Sequence, residues 1–125
     1  MEKELLNTFD KELLLRDLCA RLPYGVKYNF GGHDGCDYTM SKVGLSAVDD
    51  NFPIEDIKPY LFPLLSMTDK QKDEYQYITE RWMNDLAYSI SDSIDWLNKN
   101  HFDHRGLIEK GLAIDATGLN IYSFV

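Results

Sequence analysis

Leu22-Pro23-Tyr24-Gly25-Val26-Lys27-Tyr28-Asn29-Phe30 is the stretch that decides the fold class. Before it, Leu14, Leu15, Leu18, Cys19 and Leu22 recur at spacings of three and four, which gathers them on one face of a helix. After it, Val26, Tyr28 and Phe30 alternate with Lys27 and Asn29, the period of a strand with one buried face. Pro23 steers Leu22 away from helical angles, and Gly25 permits a turn, so the change of period is a change of element. A chain that passes from helix to strand in this way fits a mixed α+β class.

Upstream, Asp10-Lys11-Glu12 opens the helix, with Asp10 as its expected N-cap. Residues 1–9 extend that helix or fray. Downstream, Gly31-Gly32-His33-Asp34-Gly35 leads into Cys36, Tyr38 and Met40, which alternate with polar residues and give the second strand of a β-hairpin. Gly44 shifts the apolar parity to Val43, Leu45 and Ala47, as a bulge does. Pro53, Pro59 and Pro63 exclude a long helix, leaving a short turn over 54–57 and an extended segment carrying Tyr60, Leu61, Phe62 and Leu64.

Thr68-Asp69-Lys70-Gln71 is a capping box, so a central helix starts there, with Tyr75, Ile78 and Trp82 on one face. Farther on, Leu86, Tyr88 and Ile90 fit a strand, while Leu86, Ile90, Ile94 and Leu97 fit one long helix. Ser91 and Asp92 favour a break with a fresh cap before Ile94. Gly106 and Gly111 bracket a short helix capped by Asp103, and residues 112–114 and 119–124 read as short strands. The expected architecture is a single α+β domain over 1–125. It has a small antiparallel sheet, an N-terminal helix, a central helix and a short C-terminal helical segment.

The 125 residues are enough to bury roughly two thirds of the unfolded surface without staples. Hydrophobic residues make up 44%, close to a globular average. Thirteen Lys and Arg stand against 21 Asp and Glu, a net charge of -8. That balance disfavours nucleic acid and anionic membrane as partners and suits a basic protein surface, or simply keeps the chain in solution. The first residues are charged and no apolar run approaches the ~20 residues of a membrane helix, so the expectation is a cytoplasmic protein with Cys19 and Cys36 reduced.

Three constellations bear on chemistry. His33 and Cys36 share the hairpin loop, where an imidazole activates a thiol only if an oxyanion site and an orienting group accompany it. His101 and His104 stand three apart, and share a face if that backbone is helical; with His33 and Cys36 they are the weak candidate metal set. Arg21, Arg81 and Arg105 are the cations that an anionic small ligand would require. No phosphate-cradling glycine motif is present and no cofactor is implied.

Eight Tyr, six Phe and two Trp are the most unusual feature of the composition, and they either fill the core or in part anchor an interface. Tyr60, Phe62, Tyr122 and Phe124 fall in segments without strong helix signals and are the candidate partner-binding side chains, since aromatics anchor interfaces. The apolar ending Ile121-Tyr122-Ser123-Phe124-Val125 is expected to pair with the sheet or with another subunit, so a homo-oligomer is one option.

Three stretches resemble a family of small uncharacterised proteins of gut bacteriophages and prophage-like elements. They are Leu18-Cys19-Ala20-Arg21-Leu22-Pro23-Tyr24-Gly25-Val26; Ile57-Lys58-Pro59-Tyr60-Leu61-Phe62-Pro63-Leu64 with Ser66-Met67-Thr68; and Asp95-Trp96-Leu97-Asn98 through His101-Phe102-Asp103-His104-Arg105-Gly106-Leu107-Ile108-Glu109-Lys110-Gly111-Leu112-Ala113. The hairpin region is short against that pattern and residues 75–92 match it poorly. The resemblance implies an accessory protein of a phage or mobile element in the host bacterial cytoplasm, and carries no catalytic residue with it. Three functions follow as expectations. The first is non-enzymatic binding of a host or phage protein, such as a defence component. The second is sequestration of a small ligand such as a nucleotide signal. The third is a metal- or cysteine-dependent hydrolase.

Overall fold

A computed structural model describes residues 8–30, 37–40, 54, 57–81, 85–119, 121 and 122. Helix α1 spans Thr8–Arg21 and ends in a 3-10 turn, Leu22–Tyr24. Gly25 closes that turn at φ +66, a left-handed conformation that glycine adopts without a Cβ penalty. Strands β1 (Lys27–Phe30) and β2 (Asp37–Thr39) pair antiparallel, with Tyr28 opposite Tyr38 and their rings stacked at 5.5 Å. The loop between them, with His33 and Cys36, and the bulge expected at Gly44 lie outside the described residues.

Strand β3 (Ile57–Pro63) is the spine. It pairs antiparallel with β1, and parallel with β4 (Phe102–Asp103) and β5 (Ile114–Asp115). The sheet is therefore mixed rather than purely antiparallel. Strand β3 is buried at Ile57, Pro59, Tyr60 and Leu61, the near-continuous apolar run of a strand covered on both faces. The chain returns to β3 twice, first through helices and then through the turns after β4, and each return makes a parallel pair.

Helix α2 spans Asp69–Arg81, and its capping box forms as the sequence implied. Thr68 Oγ1 accepts from Gln71 N at 3.1 Å, and Gln71 Oε1 accepts from Thr68 N at 2.9 Å. Helix α3 spans Leu86–Lys99, with Asp85 as its N-cap accepting from Tyr88 N. The expected fresh start at Ser91-Asp92 is thus corrected: both lie inside α3, whose N-cap is Asp85. Asp85 satisfies the first turn, so Ser91 and Asp92 serve as ordinary helical residues. The short helix expected between Gly106 and Gly111 is a set of hydrogen-bonded turns instead. Asp103, expected as its cap, instead ties down these turns by accepting from Leu107 N and Ile108 N.

The main core joins Leu14 and Leu18 of α1 to Val26, Met40, Ile57, Leu61, Leu107 and Leu112. A second cluster packs Trp96, Leu97 and Phe102 with Phe62, Met67, Tyr75 and Ile78. The buried face of α1 is rotated from the one read in the sequence. Leu14, Asp17, Leu18 and Arg21 are buried, while Leu15 and Cys19 are exposed. Two charges therefore lie where two apolar residues were expected.

Candidate functional site

Asp17 and Arg21 are one helical turn apart, so their side chains meet on α1, and both are 0% exposed. Arg21 Nε donates to Asp17 Oδ2 at 2.8 Å, and Arg21 Nη2 donates to the Phe102 carbonyl at 2.5 Å. The guanidinium thereby ties α1 to β4 across the molecule. Arg105 Nε approaches the other Asp17 oxygen, Oδ1, at 3.7 Å. One carboxylate thus sits between two guanidiniums. Asp17 Oδ1 and Arg21 Nη1 are buried without a hydrogen-bond partner among the described residues.

The two histidines flank this cluster. His101 has φ 63, so residues 101–104 are not a helical turn, and the premise of a shared i, i+3 face is corrected. The His101 ring stacks on Tyr122 at 3.8 Å with 10° between planes, and its Nδ1 is buried without a partner. His104 Nε2 meets Asn98 Oδ1 at 2.8 Å; since a carbonyl oxygen only accepts, the proton is assigned to Nε2. Burial lowers the His101 pKa to about 4, helped by the charges of Arg21 and Lys27. Burial also lowers that of His104 to about 4, with Arg21 and Arg105 adding to it and Asp17 and Asp103 opposing. Both imidazoles are neutral at pH 7 and too weakly basic for proton abstraction near neutrality.

Tyr122 closes the cluster. Its hydroxyl donates to the Tyr60 carbonyl and accepts from Lys27 N, each at 2.8 Å, so one phenol joins the backbones of β1 and β3. Burial raises its pKa. Tyr122→Phe removes both hydrogen bonds and is expected to cost about 1–3 kcal/mol in chemical denaturation, with the fold retained.

Of the candidate partner-binding residues, Tyr60 is buried and Phe62 and Tyr122 are half-buried, in ring contact at 5.9 Å. Phe124 lies outside the described residues. Of the candidate ligand-binding arginines, Arg21 and Arg105 share Asp17, whereas Arg81 pairs with Asp92 at 3.6 Å across α2 and α3. Each of the three faces a carboxylate. Among the described residues, no group of three His, Cys, Asp or Glu side chains is placed to hold a metal ion. His33 and Cys36 lie outside that set.

The feature that sequence reading missed as a site is the exposed side of α3. Leu86 is 74% exposed, Ile90 51% and Ile94 38%. At about 100° per residue they fall within about 80° of one another around the helix. Ala87 and Ser91 continue the same face, and no charged residue interrupts it. Other positions hold the helix inside the molecule: Ser89 Oγ donates to the Thr79 carbonyl of α2 at 2.7 Å, and toward the C-terminal end Trp96, Leu97 and Asn98 are buried. The signal was present in the Leu86-Ile90-Ile94-Leu97 spacing, which reads as a buried stripe until packing shows only its C-terminal end covered.

Comparison with protein-family models, with curated proteins and with solved structures finds no match. Among the described residues, no helix is long and apolar enough to cross a membrane.

Proposed function

We propose that this chain is a non-enzymatic accessory protein of a phage or mobile element, which binds a host or phage protein in the bacterial cytoplasm through the exposed face of α3. The observation that carries this reading is the uncharged row Leu86, Ile90 and Ile94 standing in solvent on a helix anchored at Ser93, Trp96, Leu97 and Asn98. Monomers expose single apolar side chains freely, but a contiguous row marks a contact surface. The fate of the polar cluster supports the same reading. Its arginines neutralise a carboxylate, its histidines are held uncharged and its tyrosine hydroxyl is spent on backbone.

The partner's chemistry follows from the surroundings. Residues 69–99 carry seven carboxylates and four cations (Lys70, Lys72, Arg81 and Lys99), within a chain of net charge -8. The matching surface is an apolar ridge bordered by basic side chains, which also speeds encounter. A component of host defence is the class of target that the phage resemblance suggests.

Ile90→Asp places a charge in the middle of the row. Because the side chain is half exposed, thermal stability is expected to stay nearly unchanged while capture of the partner is lost. The check is affinity purification from the bacterial host with the wild-type and Ile90→Asp chains side by side. A protein retained by the first and absent from the second supports the reading. Identical recoveries overturn it.

A further inference from the structure

The segment after β5 is tied back to the sheet by one side chain. Ala116 is buried and its N–H donates to the Leu61 carbonyl at 2.8 Å, which anchors the chain there. Thr117, Gly118 and Leu119 then run exposed, with Gly118 at φ +78. Among the described residues beyond Leu119, the hydrogen bonds are those of the Tyr122 hydroxyl.

The place of that hydroxyl follows from the register of β1 on β3. Tyr28 opposes Pro59, so the next opposed pair is Lys27 and Tyr60. In an antiparallel ladder the residues of a hydrogen-bonded pair exchange N–H and C=O bonds directly. Here a phenol oxygen stands between them, accepting from Lys27 N and donating to the Tyr60 carbonyl at 2.8 Å each. Donor and acceptor therefore face one another across a single inserted atom. A closure of about 2 Å brings them to ordinary hydrogen-bonding distance. Both backbone groups are satisfied with the phenol in place or withdrawn, as the two arrangements of a switching element require.

The other side of the latch is His101. Its ring stacks on Tyr122 at 3.8 Å, and its Nδ1 is buried without a partner among the described residues. The charges around it are Arg21 of α1 and Lys27 of β1. Asp17 of α1 is shared by Arg21 and Arg105, and Asp103 of β4 accepts from Leu107 N and Ile108 N. Asn98 of α3 is uncharged and is paired with His104. A proton on docked His101 is thus a buried cation beside two others, and burial with those charges lowers its pKa to about 4. Once Tyr122 leaves, the ring meets water and its affinity for a proton rises toward the ordinary value of 6.5. The released state binds the proton better, so it gains as pH falls from 6.5 to 4.

We propose that the segment carrying Tyr122 is an acid-released strap, which leaves the sheet when His101 is protonated while β1 and β3 close behind it through a direct Lys27–Tyr60 hydrogen bond. The strap opens locally, before the domain unfolds. It uses none of the residues of the α3 face, so partner capture at neutral pH does not depend on it.

The test is fluorine NMR of the full chain labelled with 3-fluorotyrosine, where the Tyr122 signal is the one lost in Tyr122→Phe. A second, solvent-exposed Tyr122 signal is expected to grow about tenfold relative to the docked one between pH 7 and pH 5, with the far-UV circular dichroism unchanged. In His101→Asn the released share is expected not to move with pH. In Tyr122→Ala the Lys27 amide is expected to stay protected from hydrogen exchange, because it bonds the Tyr60 carbonyl directly. A Tyr122 signal that stays docked down to pH 5 overturns the proposal, as does release that comes only with global unfolding. So does an unchanged pH dependence in His101→Asn, or a freely exchanging Lys27 amide in a folded Tyr122→Ala chain. The wild-type titration decides the matter if Tyr122→Ala fails to fold.

Discussion

Arg21→Met is expected to cost about 3–5 kcal/mol of unfolding free energy, on the order of 10 °C in melting temperature for a domain of this size. The loss has two parts. Asp17 is left at 0% exposure with Arg105 at 3.7 Å as its remaining cation, and the Phe102 carbonyl loses its donor across the α1–β4 contact. A buried carboxylate that loses its partner costs far more than the pair contributes as a pair. The double variant Asp17→Leu with Arg21→Met removes both charges together, and is expected to recover most of the stability lost in the single change. Urea denaturation of the single and double variants checks this. A single variant as stable as wild type would mean that Arg21 is not clamped between α1 and β4.

The second large effect is on pH. The folded-state pKa of His101 and of His104 is about 4, against 6.5 for an unhindered imidazole. The folded-state values are depressed, so between pH 6.5 and 4 the unfolded chain binds more protons than the folded one, and stability falls as pH falls. It is fully present above the unfolded value and is lost through that window. His101, with only 7% exposure, is expected to contribute roughly 3 kcal/mol of this loss. His104 is half-buried and contributes less because solvent screens it. The physical reason is that protonated His101 would be a buried cation beside Arg21 and Lys27, with Tyr122 stacked on its face. His101→Asn removes the titration while keeping a residue that tolerates φ 63. Its stability is expected to depend much less on pH between 6.5 and 4, measured by denaturation at closely spaced pH values.

The sequence carried the element types where periodicity and chemistry agreed. The turn at Pro23 and Gly25 and the capping box at Thr68 and Gln71 both form as local rules require. What local rules do not carry is which neighbour an element meets. Phe102-Asp103 and Ile114-Asp115 are strands only because β3 lies beside them, and a two-residue pairing leaves no period to read. The register of α1 was misread for a related reason. Leu15 and Cys19 make an apolar pattern with Leu18 and Leu22, but the buried face takes Asp17 and Arg21 in their place. Charges on the Leu14–Leu18 side were the available signal, since an Asp and an Arg four apart on an apolar face ask to be buried as a pair. The exposed row on α3 was visible as spacing but not as exposure, because exposure depends on what packs against it.

The account assigns the buried cluster to folding and the α3 face to binding. The most direct measurement compares partner capture by two folded variants: Asp17→Leu with Arg21→Met, and Ile90→Asp. The first is predicted to retain the partner with wild-type affinity and the second to lose it. A folded cluster variant that fails to bind, alongside an Ile90→Asp chain that binds normally, would contradict the account and place function at Arg21.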